Sequence, residues 1–160
     1  MDSLNEVQAY DLSTQAVRNL PSLQIKRQNS SCTFLKGNLF VFAGYSDSAR
    51  TNSIEILDVA ASSQEWQLII LETVSPRDSA LICPINDREL LISGGVFKKD
   101  DGTQGLLSDA YIFNTEKRQV TRKVSSNVGV GHKSYSCPVM LTKGTFIAFV
   151  ESFNGILKLV

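Results

Sequence analysis

Residues 76–120 read PRDSALICPINDRELLISGGVFKKDDGTQGLLSDAYIFNTEKRQV, and this stretch decides the fold. Two short apolar runs joined by a polar turn come first, followed by Gly94-Gly95, a charged loop and two further short runs. Short runs rich in β-branched and aromatic residues, bounded by Gly, Asn and Asp, are typical of β-strands joined by tight turns. Nowhere in the chain is there a convincing 3.6-residue apolar period, which would indicate a helix. The stretch therefore predicts a unit of four antiparallel strands.

The same unit recurs along the chain. First and second strands with their turn are predicted in SSCTFLKGNLFVFAGY (30–45) and SYSCPVMLTKGTFIAFV (134–150), and third strands in NSIEILDV (52–59), SDAYIFNT (108–115), EVQAYDLS (6–13) and NGILKLV (154–160). Fourth strands follow in AVRNL (16–20), EWQLIIL (65–71) and RQVTRKV (118–124). Each of the three cysteines, Cys32, Cys83 and Cys137, lies in a first strand, where we expect burial near the axis of the fold.

Four-stranded units that repeat about every 50 residues predict an all-β fold, a β-propeller whose antiparallel blades pack radially. The predicted units are a partial blade at 6–20, full blades at 28–71 and 79–124, and a partial blade at 134–160. Two full and two partial blades leave open strand edges and an uncovered blade face. We therefore expect an incomplete ring, either a fragment or one part of an assembled propeller.

The unit at 79–124 resembles the kelch repeat. In that repeat, apolar residues precede a double glycine, and an aromatic residue after a variable loop is followed at a fixed distance by tryptophan. Gly94-Gly95 matches the double glycine, and six residues separate Phe113 from Val120, which replaces the tryptophan. Tyr10 and Val17 repeat that spacing.

The other units depart from the kelch pattern. Ala43-Gly44 stands in for the double glycine of the unit at 28–71, which keeps Trp66 as the predicted packing residue between blades. Val150-Glu151 occupies the corresponding place in the last unit. The alternative architecture, a WD-type propeller, lacks its Gly-His and Trp-Asp signatures here.

Composition argues against several classes of function. Lys and Arg together number 16, as do Asp and Glu, and we find no basic stripe, so neither nucleic acid nor a membrane is an expected partner. The start of the chain lacks the apolar core of a signal peptide, and three widely spaced cysteines form no metal-binding or disulfide pattern. We expect a cytoplasmic protein without structural zinc.

Candidate catalytic residues are few. His132 is the only histidine, whereas the copper site of the kelch-fold oxidases needs two. GVGHKS precedes a predicted strand and lacks the phosphate-loop pattern, and Asp100-Asp101 has no calcium-loop spacing around it. We therefore expect no cofactor, no metal and no enzymatic activity.

Function is expected on the loops that join second to third strands and one blade to the next, because these gather on one face. The predicted partner-binding residues are Arg27, Asp47, Arg50, Arg77, Lys98, Lys99, Asp100 and His132. The kelch resemblance implies a non-catalytic scaffold that binds a protein partner, as ubiquitin-ligase substrate adaptors and actin-associated kelch proteins do. The alternative is a fragment of a larger propeller, including a kelch-fold enzyme, without activity of its own. Further blades or self-association would then close the ring.

Overall fold

The computed structural model describes residues 3–124 and, in addition, the strands at 133–134, 139–142, 145–147, 149–151 and 158–159. Throughout the part of the chain so described, the regular structure is strand and contains no helix. No helix there is long and apolar enough to cross a bilayer. The predicted all-β class is confirmed.

The strands follow one another closely along the chain. They are β1 (Val7–Tyr10), β2 (Val17–Leu20), β3 (Ser31–Leu35), β4 (Asn38–Phe42), β5 (Tyr45–Ser46), β6 (Ala49–Arg50), β7 (Ser53–Asp58), β8 (Gln67–Ile70), β9 (Leu81–Asn86), β10 (Glu89–Ser93), β11 (Val96–Lys98), β12 (Gln104–Leu106), β13 (Ala110–Asn114), β14 (Gln119–Val124), β15 (Lys133–Ser134), β16 (Val139–Thr142), β17 (Thr145–Ile147), β18 (Phe149–Glu151) and β19 (Lys158–Leu159).

Two four-stranded antiparallel sheets form the centre of the described structure. We call the sheet β3-β4-β7-β8 the first blade and the sheet β9-β10-β13-β14 the second blade. In both, consecutive strands pair, and a small hairpin interrupts the connection from the second strand to the third: β5–β6 in the first blade and β11–β12 in the second. Strand β3 of the first blade packs beside β9 of the second.

The spacing of large residues in the kelch pattern corresponds to a cross-strand pair. In the second blade, Phe113 of β13 lies opposite Val120 of β14. In the two-stranded sheet β1–β2, which we call the N-terminal hairpin, Tyr10 lies opposite Val17 in the same way. This hairpin is therefore equivalent to the two outer strands of a blade.

The main core lies between the two blades. Its fully buried large side chains come from the second and third strands of both blades and from β9: Phe40, Phe42, Ile54, Ile82, Leu90, Ile92 and Phe113. Alternation along each strand directs one set of side chains into this layer, so burial of the apolar set fixes the register of each strand.

A second apolar cluster lies between the N-terminal hairpin and the first blade. Val7 and Leu20 of the hairpin pack against it, and Leu57 and Trp66 are buried within it. The indole N–H of Trp66 donates a hydrogen bond to the carbonyl oxygen of Pro21, 2.7 Å away. Trp66 thus joins the first blade to the connection that precedes it.

The cysteines differ from one another in burial. Cys83 is buried and packs with Leu81, as expected, but Cys32 is exposed. The expectation for Cys32 was wrong because the N-terminal hairpin supplies only the outer strands of a blade. The inner strand β3 is left uncovered on the face that carries Cys32 and Phe34, which is also exposed. The third cysteine, Cys137, lies outside the described residues.

Candidate partner-binding site

A cleft of about 1040 Å³ opens at the end of the blades where the connections between strands gather. Its lining consists of Gln28, Asn29, Tyr45, Ser48, Ala49, Arg50, Ser75, Pro76, Asp78, Ser79, Val96, Phe97, Lys98, Asp100, Gly102 and Gln104. These residues belong to the β5–β6 and β11–β12 hairpins and to the two connections that enter the blades. The cleft is therefore a feature of the repeat packing rather than of one loop.

Backbone pairing fixes the walls of the cleft. The connection into the first blade bridges the β5–β6 hairpin at Gln28 and Tyr45. The connection into the second blade bridges Asp78 to Val96, with hydrogen bonds in both directions between their backbones. Ordered main-chain bonds of this kind hold loop residues in place as well as strand residues.

Arg50 and Asp78 form an ion pair in the lining. The Nε atom of Arg50 lies 2.6 Å from Oδ2 of Asp78, and the two side chains are only 9% and 7% exposed. The hydroxyl of Ser79 donates to the other carboxylate oxygen of Asp78 at 2.9 Å. The Arg50 guanidinium also lies over the ring of Tyr45, with 5.7 Å from its carbon to the ring centroid. Both partners are therefore held from two sides.

The two terminal nitrogens of Arg50 have no hydrogen-bond partner among the described residues, whereas its Nε is satisfied by Asp78. A guanidinium group carries five N–H donors, of which four belong to the terminal nitrogens. A buried donor without a partner is costly, so such groups in a cleft favour a ligand that accepts hydrogen bonds.

Arg77, another predicted binding residue, is fully buried. Its terminal nitrogens donate to both carboxylate oxygens of Asp109, at 2.6 and 3.0 Å, and to the carbonyl oxygen of Gly94 at 2.8 Å. Its Nε donates to the carbonyl oxygen of Ser75 at 2.9 Å. Arg77 therefore links the connection at 71–80 to the chain turn at Gly94-Gly95, which follows strand β10 of the second blade.

Arg27 has the equivalent position in the first blade and is 4% exposed. It donates to the carbonyl oxygen of Ala43 at 2.6 Å, to the Ser53 hydroxyl at 3.0 Å and to Glu55 at 2.6 Å. Ala43 has a φ of +57° and thus adopts the conformation that Gly94 has at +64°. The structure gives Arg27 and Arg77 an internal role, and neither contributes to the cleft surface.

Asp109 carries the clearest electrostatic effect near this region. Burial alone would raise the pKa of its carboxyl group, but the hydrogen bonds and charge of Arg77 outweigh it. The hydroxyl of Tyr111, 3.0 Å from the carboxylate, adds to this effect. The net result holds the pKa of Asp109 below its usual 3.8. The carboxylate is therefore ionised and paired at neutral pH.

The remaining predicted residues lie on or near the hairpin tips. Lys98 and Asp100 are exposed and line the cleft. Lys99 is exposed beside them, and Asp47 is exposed at the tip of the β5–β6 hairpin with a φ of +40°. His132 lies outside the described residues.

Several residues of the cleft, notably Tyr45, Asp78 and Phe97, lie in the loops where function was predicted but were not themselves predicted as binding residues. A signal was present, because Tyr45 and Val96 each follow the glycine corner of their unit. Asp78 likewise follows Arg77 as Gln28 follows Arg27. Aligning the two units would have placed these positions at the cleft. The pairing of Arg50 with a residue of the next unit has no such local signal.

Among the described residues, no group of three or more His, Cys, Asp or Glu side chains could hold a metal ion. The cleft lining contains one cation–anion pair, Arg50–Asp78, and two further charges of opposite sign, Lys98 and Asp100. Its chemistry is that of a polar binding surface with balanced charge.

Comparison with known proteins supports the kelch resemblance. A family model described as the Kelch motif matches residues 26–69, a range that contains the first blade except for Ile70, the last residue of β8. The solved structure of YjhT, a kelch-type propeller, is similar with a TM-score of 0.78 at 13% sequence identity. The match covers 98% of this chain and 48% of that one, so the chain spans about half the length of the YjhT structure. No curated protein matches the chain.

Proposed function

We propose that the chain is a non-catalytic interaction module that binds a protein partner through the cleft between the β5–β6 and β11–β12 hairpins. The observation that carries this proposal is that Arg50 lines the cleft and that its two terminal nitrogens have no hydrogen-bond partner among the described residues. Kelch-type propellers are commonly protein-binding scaffolds. The match to the Kelch motif at residues 26–69 therefore supports a protein-binding role. A role as a cytoplasmic substrate adaptor is the specific form that we favour.

The shape and chemistry of the cleft fit a peptide segment better than a small metabolite. It is large, open to solvent at the hairpin tips, and lined by a mixture of amide, hydroxyl and aromatic groups. Polar groups fixed on paired backbone supply specificity, whereas the exposed tips supply contact area.

Charge reversal tests the proposal. Arg50→Glu and Lys98→Glu place repulsive or unpaired charge in the cleft, and we expect both to reduce capture of partners in an affinity pull-down with the full chain. Arg88→Glu is the matched control, because Arg88 is exposed at the opposite end of the second blade, where it pairs with Glu116. Equal capture by Arg50→Glu, Lys98→Glu and the unchanged chain would contradict the proposed site.

We also propose that the ring is completed by further blades or by self-association. Tyr10 of the N-terminal hairpin is 57% exposed, whereas the equivalent Phe113 of the second blade is fully buried. Val17, which lies opposite Tyr10, is 59% exposed. Light scattering after size-exclusion chromatography tests self-association. A monomer at all concentrations would indicate that further blades complete the ring. A larger species would indicate that other copies of the chain complete it.

A further inference from the structure

The two terminal nitrogens of Arg50 present a forked set of donors in a nearly buried position. The side chain is 9% exposed, and its orientation is set by the 2.6 Å bond to Asp78 and by the ring of Tyr45. Because Asp78 takes only the Nε donor, the four N–H groups of the terminal nitrogens remain for a ligand in the cleft.

We propose that the partner inserts an aspartate or glutamate side chain into the cleft and that its carboxylate binds the terminal nitrogens of Arg50. This inference rests on the proposed function and names the chemistry that the cleft recognises. A carboxylate matches the spacing of the two terminal nitrogens, and charge-assisted hydrogen bonds of this kind are about twice as strong as neutral ones.

The other charges of the lining favour a monoanion. The Arg50–Asp78 pair is balanced, and Lys98 is the other cation, offset by Asp100. A carboxylate bound here adds one negative charge near these two aspartates. A phosphate dianion adds nearly two at the same place, and its repulsion from Asp78 and Asp100 is correspondingly greater. The acidic side chain, rather than a phosphorylated one, is therefore the expected ligand.

The surroundings of Arg50 describe the rest of the segment. Phe97 is half-buried in the opposite hairpin, and Pro76 lies in the connection between the blades. Both offer apolar surface to a neighbouring side chain of the partner. Gln28 and Gln104 line the cleft, and a glutamine side-chain amide can both donate to and accept from an extended peptide backbone. We infer an extended segment with one acidic residue and an adjacent apolar residue.

The experiment selects binding peptides from a random library displayed on phage with the full 160-residue chain, then measures affinities by fluorescence anisotropy. For each selected peptide, one synthetic version keeps its acidic residue and a second replaces it with the matching amide. We expect the amide version to bind the unchanged chain at least tenfold more weakly. Against Arg50→Gln, the two versions should differ less than twofold. A phosphoserine version should bind more weakly than the glutamate version.

Three further results separate the outcomes. Ser48→Trp fills the cleft mouth at an exposed position and should abolish binding of all selected peptides. If it does so while acid and amide versions bind the unchanged chain equally, the carboxylate inference is overturned and the proposed function stands. If Ser48→Trp changes nothing, both are overturned. Tighter binding of the phosphoserine version overturns the choice of a carboxylate. The acid-to-amide comparison needs no protein variant, so misfolding of Arg50→Gln does not affect it.

Discussion

The Nε atom of Arg50 lies 2.6 Å from Oδ2 of Asp78, and this pair ties the β5–β6 hairpin of the first blade to the connection that enters the second. The same Asp78 bonds Val96 of the β11–β12 hairpin through its backbone. One residue therefore links both walls of the cleft. The site is thus organised by contacts between repeats, and its donors are held in place before a ligand arrives.

Replacing Arg77 with methionine should destabilise the fold strongly. Methionine removes the guanidinium from Asp109 and leaves the carbonyl oxygen of Gly94 without that donor. Breaking a buried ion pair in this way costs about 3–5 kcal/mol of the free energy of unfolding. Urea denaturation followed by circular dichroism measures the loss.

Arg88→Met is the matched control for Arg77→Met. Arg88 pairs with Glu116, and both side chains are more than half exposed. Exposed pairs contribute about 0–1 kcal/mol, so this variant should unfold near the urea concentration of the unchanged chain. Equal losses in the two variants would contradict the internal role of Arg77.

The paired Asp109 carboxylate should make stability fall with acid. Its pKa in the folded chain lies below 3.8, the value expected when unfolded, so the unfolded chain binds more protons between the two values. The free energy of unfolding that this pair contributes is therefore present above about pH 4 and is lost as pH falls through the folded pKa.

Asp109→Asn tests the origin of that loss. The variant should be less stable than the unchanged chain at pH 7, because the charge of Arg77 loses its partner. The difference between the two should shrink as the pH falls from about 5 to 2. Urea denaturation at several pH values measures this. A constant difference across that range would show that Asp109 is not the titrating group.

Gly95→Ala should be more disruptive than Gly37→Ala, although both glycines have positive φ angles of +105° and +78°. A Cβ atom at Gly95 would lie 2.8 Å from the carbonyl oxygen of Asp78. A Cβ atom at Gly37 would have no neighbouring heavy atom within 4 Å. The positive φ costs about 1–3 kcal/mol in either variant. The collision with the Asp78 carbonyl oxygen adds to this cost only at Gly95. Thermal unfolding should therefore show a lower midpoint temperature for Gly95→Ala than for Gly37→Ala. A lower midpoint for Gly37→Ala would contradict the close approach of Asp78 to Gly95.

Trp66 provides an optical probe, because it is the only tryptophan in the chain. Its burial predicts blue-shifted emission in the folded chain and a shift to longer wavelength during unfolding. Trp66→Ala should cost about 3–5 kcal/mol, as truncation of a buried tryptophan does. Trp66→Phe should cost less, since it keeps most of the packing and loses only the indole bond to Pro21. Emission typical of exposed tryptophan in the folded chain would contradict the packing described.

Much of the fold was predictable because its signals are local. Alternation and turn residues predicted the strands, and the spacing from Phe113 to Val120 marked a pair that lies directly across two strands. The burial of Cys32 was mispredicted because it depends on strands that the N-terminal hairpin does not supply. Nothing within β3 itself carries that information.

The site was less predictable, because burial of an arginine depends on distant residues. Arg27, Arg50 and Arg77 all lie in segments that the sequence predicts as polar loops, and they look alike in sequence. The partner carboxylate of Arg77 is 32 residues away, and that of Arg50 is 28 residues away in the next unit. Only the packing of the repeats separates the two internal arginines from the one that lines the cleft.

Amide hydrogen exchange of the full chain, alone and with a peptide selected as above, tests the central claim most directly. The account predicts slower exchange on binding at 45–50, 75–79 and 96–104, with no change at the opposite turns at 36–37 and 87–88. Protection confined to those turns, or none at the cleft under saturating peptide, would contradict a binding site between the two hairpins.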